Sequence, residues 1–138
     1  MLLRMHRSSI FYFVTAYKYT IAVDEAFPRI EGLAKSFDLS VTCYRFTGSF
    51  PGTECYSLAG QINSAAISFP SNIAEGSSRS SEKAYRRFLK IALESSYELE
   101  TQLLIADALG YRVISDRQSI IYSVREVQKM LVACIRIL

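Results

Sequence analysis

Glu94 and Glu98 stand one helical turn apart, a spacing at which two carboxylates can share a metal ion or divide acid and base work. A di-iron helical bundle, however, needs Glu-x-x-His elements from two helices. The single histidine, His6, lies near the N-terminus. Glu94 therefore reads as solvated surface charge, while Glu98 borders the Tyr97 edge of an expected subunit contact. Ser77, Ser78, Ser80 and Ser81 are crowded together without a paired base, so they read as cap and turn residues rather than nucleophiles. The run Gly76-Ser77-Ser78-Arg79-Ser80-Ser81 lacks the Gly-x-x-x-x-Gly-Lys arrangement of a phosphate loop. No catalytic residue, metal site or cofactor is expected, and the chain does not read as an enzyme.

The same serine-rich run opens a helix whose first turns are basic, and helix N-termini attract anions. Arg79, Lys83, Arg86, Arg87 and Lys90 fall within roughly 100° of one another at helical spacing. Net charge is +4 over residues 79–90 and −4 over 91–116, against +3 for the whole chain. That overall balance permits a nucleic-acid partner without demanding one. The five cations are the candidate nucleic-acid-binding residues. Their bland alternative is a solvated helix face with Lys90 and Glu94 as an i,i+4 pair. No exposed aromatic stacking platform is apparent, so binding would favour backbone and shape over base sequence.

These residues must be positioned by a chain of 138 residues, half of them hydrophobic and 21% charged. The length suits one domain with a real core. No apolar stretch reaches the ~18 residues needed to span a bilayer. Arg4, Arg7 and the apolar run after Ile10 mimic a secretory signal. Lys18, several hydroxyl side chains and a poor cleavage zone at Ala22-Val23-Asp24 oppose it. Residues 1–29 are therefore an N-terminal extension, a short amphipathic helix or a loosely held segment, closed by Phe27-Pro28. Cys43, Cys55 and Cys134 form no CxxC pair and read as reduced, buried thiols of a cytoplasmic protein.

Residues 30–138 carry four helical patterns. Ile30, Leu33, Phe37, Val41 and Tyr44 form the first inward stripe, and Leu58, Ile62, Ala65, Ala66, Phe69 and Ile73 the second. Thr53 is the expected cap of the second helix, Pro70 its bend and Gly76 its C-terminal glycine. The third runs from a cap at Ser80 or Ser81 to Leu109, with Gly110 following. Ser115-x-x-Gln118 opens the fourth as a capping box, and Ile120, Val124, Val127, Leu131, Ile135 and Leu138 are its buried face. Short loops make the fold all-α, an antiparallel up-down-up-down four-helix bundle with an extra N-terminal segment.

The third helix presents Ala84, Phe88, Ala92, Ser95, Leu99, Gln102 and Ala106 to the interior. A second apolar stripe of Leu89, Leu93 and Leu104, with Tyr97 at its edge, implies burial against another subunit. The alternative cover for that stripe is the N-terminal segment. Asn72, Glu75 and Gln102 border apolar positions near Pro70, where a side-chain network could fill the donor gap that the proline leaves.

The run from Gln61 to Gly76, with its Pro70-Ser71-Asn72-Ile73-Ala74-Glu75-Gly76 element, is joined by Arg86-Arg87-Phe88-Leu89-Lys90-Ile91-Ala92. Glu98-Leu99-Glu100-Thr101-Gln102-Leu103 and Leu109-Gly110-Tyr111 follow. Together these resemble the bacterial four-helix bundle proteins encoded within intervening sequences of 23S ribosomal RNA genes. The resemblance implies a homopentamer and no settled activity. A similar fold serves as the accessory protein of diversity-generating retroelements, which implies RNA or DNA, or a protein such as a reverse transcriptase, as possible partners. Leu33 stands where the family often has Trp. Asn63-Ser64 replaces a common pair of arginines, which removes positive charge from the second helix.

Overall fold

The structure is a computed structural model that describes residues 27–54, 57–111 and 119–138. The readings for residues 1–26, for Cys55 and for the Ser115–Gln118 capping box lie outside those residues. The described residues form four helices and no strand: α1 (Phe27–Thr47), α2 (Leu58–Ser77), α3 (Glu82–Ala108) and α4 (Ile120–Ile137). Phe27-Pro28 opens α1 instead of closing the segment before it, because a first-turn proline surrenders an amide that has no helical acceptor. Thr53 sits in a 3-10 turn, Gly52–Glu54, and α2 starts only after Ser57.

Each helix packs against two neighbours in the cyclic order α1–α2–α3–α4, and diagonal pairs make no close backbone contact. Cross-helix bonds run in opposite senses along each pair, Ser40 to Ala66 and Thr47 to Asn63, or Arg86 to Ile135 and Gln128 to Glu100. The bundle is therefore antiparallel throughout. Phe69, Ile62, Leu89, Leu99 and Leu103 are fully buried along its axis. Removal of such a side chain from water contributes about 1.5–3 kcal/mol. One end is closed by rings: Gly110 takes φ +83°, Tyr111 N–H returns to Ala106 O at 2.9 Å, and the Tyr111 ring lies 4.6 Å from that of Phe50.

The stripes expected for α2, apart from the half-buried Leu58, and for most of α4 are buried. That of α1 is turned. Tyr44 is 46% exposed, Phe37 and Val41 are half-buried, and the inner face is instead Leu33, Ser36, Leu39, Ser40, Cys43, Phe46 and Thr47. Small hydroxyls go inside because they bond back to their own helix: Ser36 Oγ donates to Leu33 O at 2.7 Å, and Thr47 Oγ1 reaches Tyr44 O at 3.1 Å. α3 is turned as well. Tyr85, Leu89, Ala92, Ser96, Leu99, Leu103 and Ala106 face inward, while Phe88 and Gln102 move to its flank.

Helix α2 continues through Pro70 without interruption. Proline has no N–H, so the carbonyl of Ala66 loses its helical donor in a fully buried place. Ser40 of α1 supplies the missing bond, with Oγ 2.5 Å from Ala66 O. That hydroxyl also lies 2.8 Å from Ser36 O. Ser36 O already has the amide four residues on as its helical partner, so the single proton does most at Ala66.

Gly76 does not terminate α2 in a left-handed turn; among the described residues only Gly110 has positive φ. A Cβ at Gly76 would stand 2.7 Å from Phe88 Cβ and 3.0 Å from Tyr85 Cδ2. The glycine is there because α3 crosses too closely for any side chain.

Ser40→Ala is expected to cost about 1–3 kcal/mol in urea unfolding, since it strands a buried carbonyl. In a Pro70→Ala background, where residue 70 again donates to Ala66, that cost should largely disappear. A double-mutant cycle measures the difference. Gly76→Ala should destabilise by about 1–3 kcal/mol through overpacking at Phe88, read as a lowered midpoint with an unchanged slope.

Candidate functional site

Two surfaces of α3 carry the chemistry available to this chain. The first is at its N-terminus, where Ser81 caps the helix by accepting the Ala84 amide at 3.1 Å. Arg79, Ser81, Lys83, Ala84, Arg87 and Phe88 line an open groove of about 410 Å³. The cations are not equivalent. Arg79 Nη2 lies 2.9 Å from Glu75 Oε1, and its guanidinium carbon sits 5.0 Å from the centre of the Phe88 ring. Arg86 is spent inside the fold: Nη2 and Nε donate to Ile135 O of α4 at 2.9 and 3.3 Å, satisfying a carbonyl at that helix's end. Lys83, Arg87 and Lys90 are exposed, and among the described residues none has an ion-pair partner, Glu94 included for Lys90. Lys90 lies a turn beyond the groove.

The second surface is the flank of α3 that faces α4. Leu89 was expected there but is 1% exposed, a core residue of the single chain. Leu93 is half-buried against the core. Tyr97 and Leu104 are open, at 50% and 45%; Ile105 and Leu109 are also exposed toward the helix's end, but on another side of it. The reason is the rotation of α3, which carries one leucine row inward and leaves the other exposed.

Beside Tyr97 a polar seam joins α3 to α4. Gln128 Nε2 donates to Glu100 Oε2 at 2.9 Å and to Ser96 O at 3.4 Å, and Arg125 Nε lies 2.7 Å from Glu100 Oε1. The Gln128 hydrogen bond, with help from Arg125 and against the opposing effect of burial, holds the Glu100 carboxyl below the usual carboxylate range. Elsewhere in the core, burial pushes the Cys43 thiol up to about 12. That thiol stays neutral and unreactive at physiological pH.

Asn72, Glu75 and Gln102 do not form one network. Asn72 Nδ2 donates to Ser68 O and Oγ at 2.7 and 3.1 Å, and Ser68 Oγ meets Ser95 Oγ at 2.9 Å, so this part does bridge α2 and α3. Glu75 is exposed on Arg79. Gln102 Nε2 donates to Glu98 at 3.1 Å, while its Oε1 is buried without a partner. The donor gap at Pro70 is filled from α1 instead. Sequence reasoning missed Ser40, Phe88 and Gln128, which depend on helix rotation and on which helices adjoin. The only advance signal was the proline, which guarantees an orphaned carbonyl but not its partner.

Among the described residues there is no group of three or more potential metal ligands and no helix long and apolar enough to cross a membrane. A family model described as 23S rRNA-intervening sequence protein matches residues 29–133. No curated protein matches the chain. A solved structure that does match is a protein of unknown function from the S23 ribosomal protein family of Bacteroides thetaiotaomicron. It is 22% identical, with a TM-score of 0.73 over 80% of this chain and 99% of that one, and it shows the same fold.

Because the Glu100 carboxyl is held low in the folded state, its contribution is present above the ordinary carboxylate value and lost as pH falls through the folded one. Stability should therefore rise from acid toward about pH 5, and Glu100→Gln should flatten that rise. Gln128→Ala should move the Glu100 titration to higher pH by carbon-detected NMR.

Proposed function

The chain belongs to the 23S rRNA-intervening sequence protein family, and on that footing we propose that it is a non-catalytic, self-associating protein that binds nucleic acid through the basic start of α3. The observation that carries the reading is the cluster of Arg79, Lys83 and Arg87 around one groove at a capped helix N-terminus, with Lys83, Arg87 and Lys90 exposed and without an ion-pair partner among the described residues. Phosphate is the ligand that such donors suit, with the helix dipole adding to their field. The open apolar side chains of Tyr97, Leu104 and Ile105 support self-association, and the resemblance points to five copies. Repetition of the groove around a ring of copies turns weak phosphate contacts into an avid interaction. The protein would work in the cytoplasm. A second reading, a scaffold that docks a protein such as a reverse transcriptase, is favoured by the same exposed apolar end of α3, which continues to Leu109.

Affinity for RNA or DNA should fall steeply with added salt, with a log–log slope set by the number of phosphates engaged. Lys83→Ala/Arg87→Ala/Lys90→Ala should abolish binding with the fold intact. Arg86→Ala should instead lower stability through the α4 terminus. Absence of a gel shift at low salt, with co-purification of a protein partner, would move the assignment to the scaffold. Tyr97→Lys/Leu104→Lys should reduce the mass seen in sedimentation.

A further inference from the structure

We infer that the nucleic acid taken up at this groove is single-stranded, with one unpaired base stacked on the Arg79–Phe88 pair; the inference rests on the nucleic-acid reading above. Four features of the groove point to it. Its cations have different surroundings: Glu75 neutralises Arg79, so what Arg79 presents outward is a planar guanidinium with little net charge. Its side chain is 48% exposed, and the guanidinium is held over the Phe88 ring at 5.0 Å. Guanidinium planes and aromatic rings are the two side-chain surfaces on which nucleobases stack.

The Phe88 ring is fixed from behind. Its Cβ would stand 2.7 Å from any Cβ at residue 76, so Gly76 lets the ring seat against α2. Lys83 and Arg87 lie one helical turn apart on the same groove, about 5–6 Å between Cβ atoms, and offer two exposed cations, unpaired among the described residues, to successive phosphates. The groove, at about 410 Å³, matches sites that hold one small ligand, the size of a single nucleotide. In a duplex the faces of the bases are covered by their neighbours. Only an unpaired nucleotide can give a face to Arg79 while its phosphates reach Lys83 and Arg87.

The test uses the full chain and two labelled probes with equal numbers of phosphates at low salt, an oligouridine strand and a blunt-ended RNA duplex with no unpaired nucleotide. Fluorescence anisotropy should give at least about tenfold tighter binding to the single strand, the size of one base stack. Phe88→Leu, which keeps apolar bulk against Gly76, and Arg79→Lys, which keeps the charge but loses the plane, should each erase most of that preference. Duplex binding should stay unchanged. Arg79→Lys alters an exposed side chain, so it decides the matter even if Phe88→Leu fails to fold. Equal binding to both probes, unaltered by Arg79→Lys, would overturn the stacking site and leave the phosphate reading standing. Binding to neither probe would remove both.

Discussion

The close crossing of α2 and α3 at Gly76 governs the molecule. This is the most extensive helix pair in the bundle. With no side chain at residue 76, the start of α3 comes in until Phe88 and Tyr85 touch the α2 backbone. Phe88 is thereby fixed beneath Arg79, and a four-residue link, residues 78–81, joins the helices, with Ser81 capping α3. The seat of the Phe88 ring under Arg79 depends on one missing methyl group. A glycine inside a helix lowers its intrinsic stability by about 1 kcal/mol relative to alanine, so the packing it permits has to outweigh that loss.

Periodicity was enough to place four helices, the α3 cap to within one residue (Ser80 or Ser81), the C-terminal Gly110 and the buried faces of α2 and most of α4. Those faces are narrow and purely apolar, so a 3.6-residue repeat leaves one choice of orientation. α1 and α3 are ambiguous because each carries apolar residues around more than half its girth. In α1 the deciding factor is hydroxyls that bond to their own backbone, which makes serine an acceptable core residue and lets Tyr44 point outward. In α3 a rotation of about half a residue exchanged Leu89 for Phe88. That exchange took a leucine out of the expected subunit contact and put an aromatic ring at the groove, where none was anticipated.

The candidate site was legible as charge and not as role. Five cations at helical spacing are visible in the sequence, but their duties are set by neighbours remote in the chain. Arg86 is claimed by a carbonyl 49 residues away, Arg79 by a carboxylate one turn earlier, and Lys83, Arg87 and Lys90 are left to solvent. The polar seam of Glu100, Arg125 and Gln128 depends likewise on which helix lies beside which.

The bond from Ser40 to the carbonyl before Pro70 makes two distant positions historically entangled. A lineage that first replaces the proline regains a backbone amide there and can afterwards drift freely at the serine. A lineage that first loses the serine must pass through a weakened intermediate. The order in which changes accumulate, and not only their sum, therefore limits which descendants of this chain can be reached.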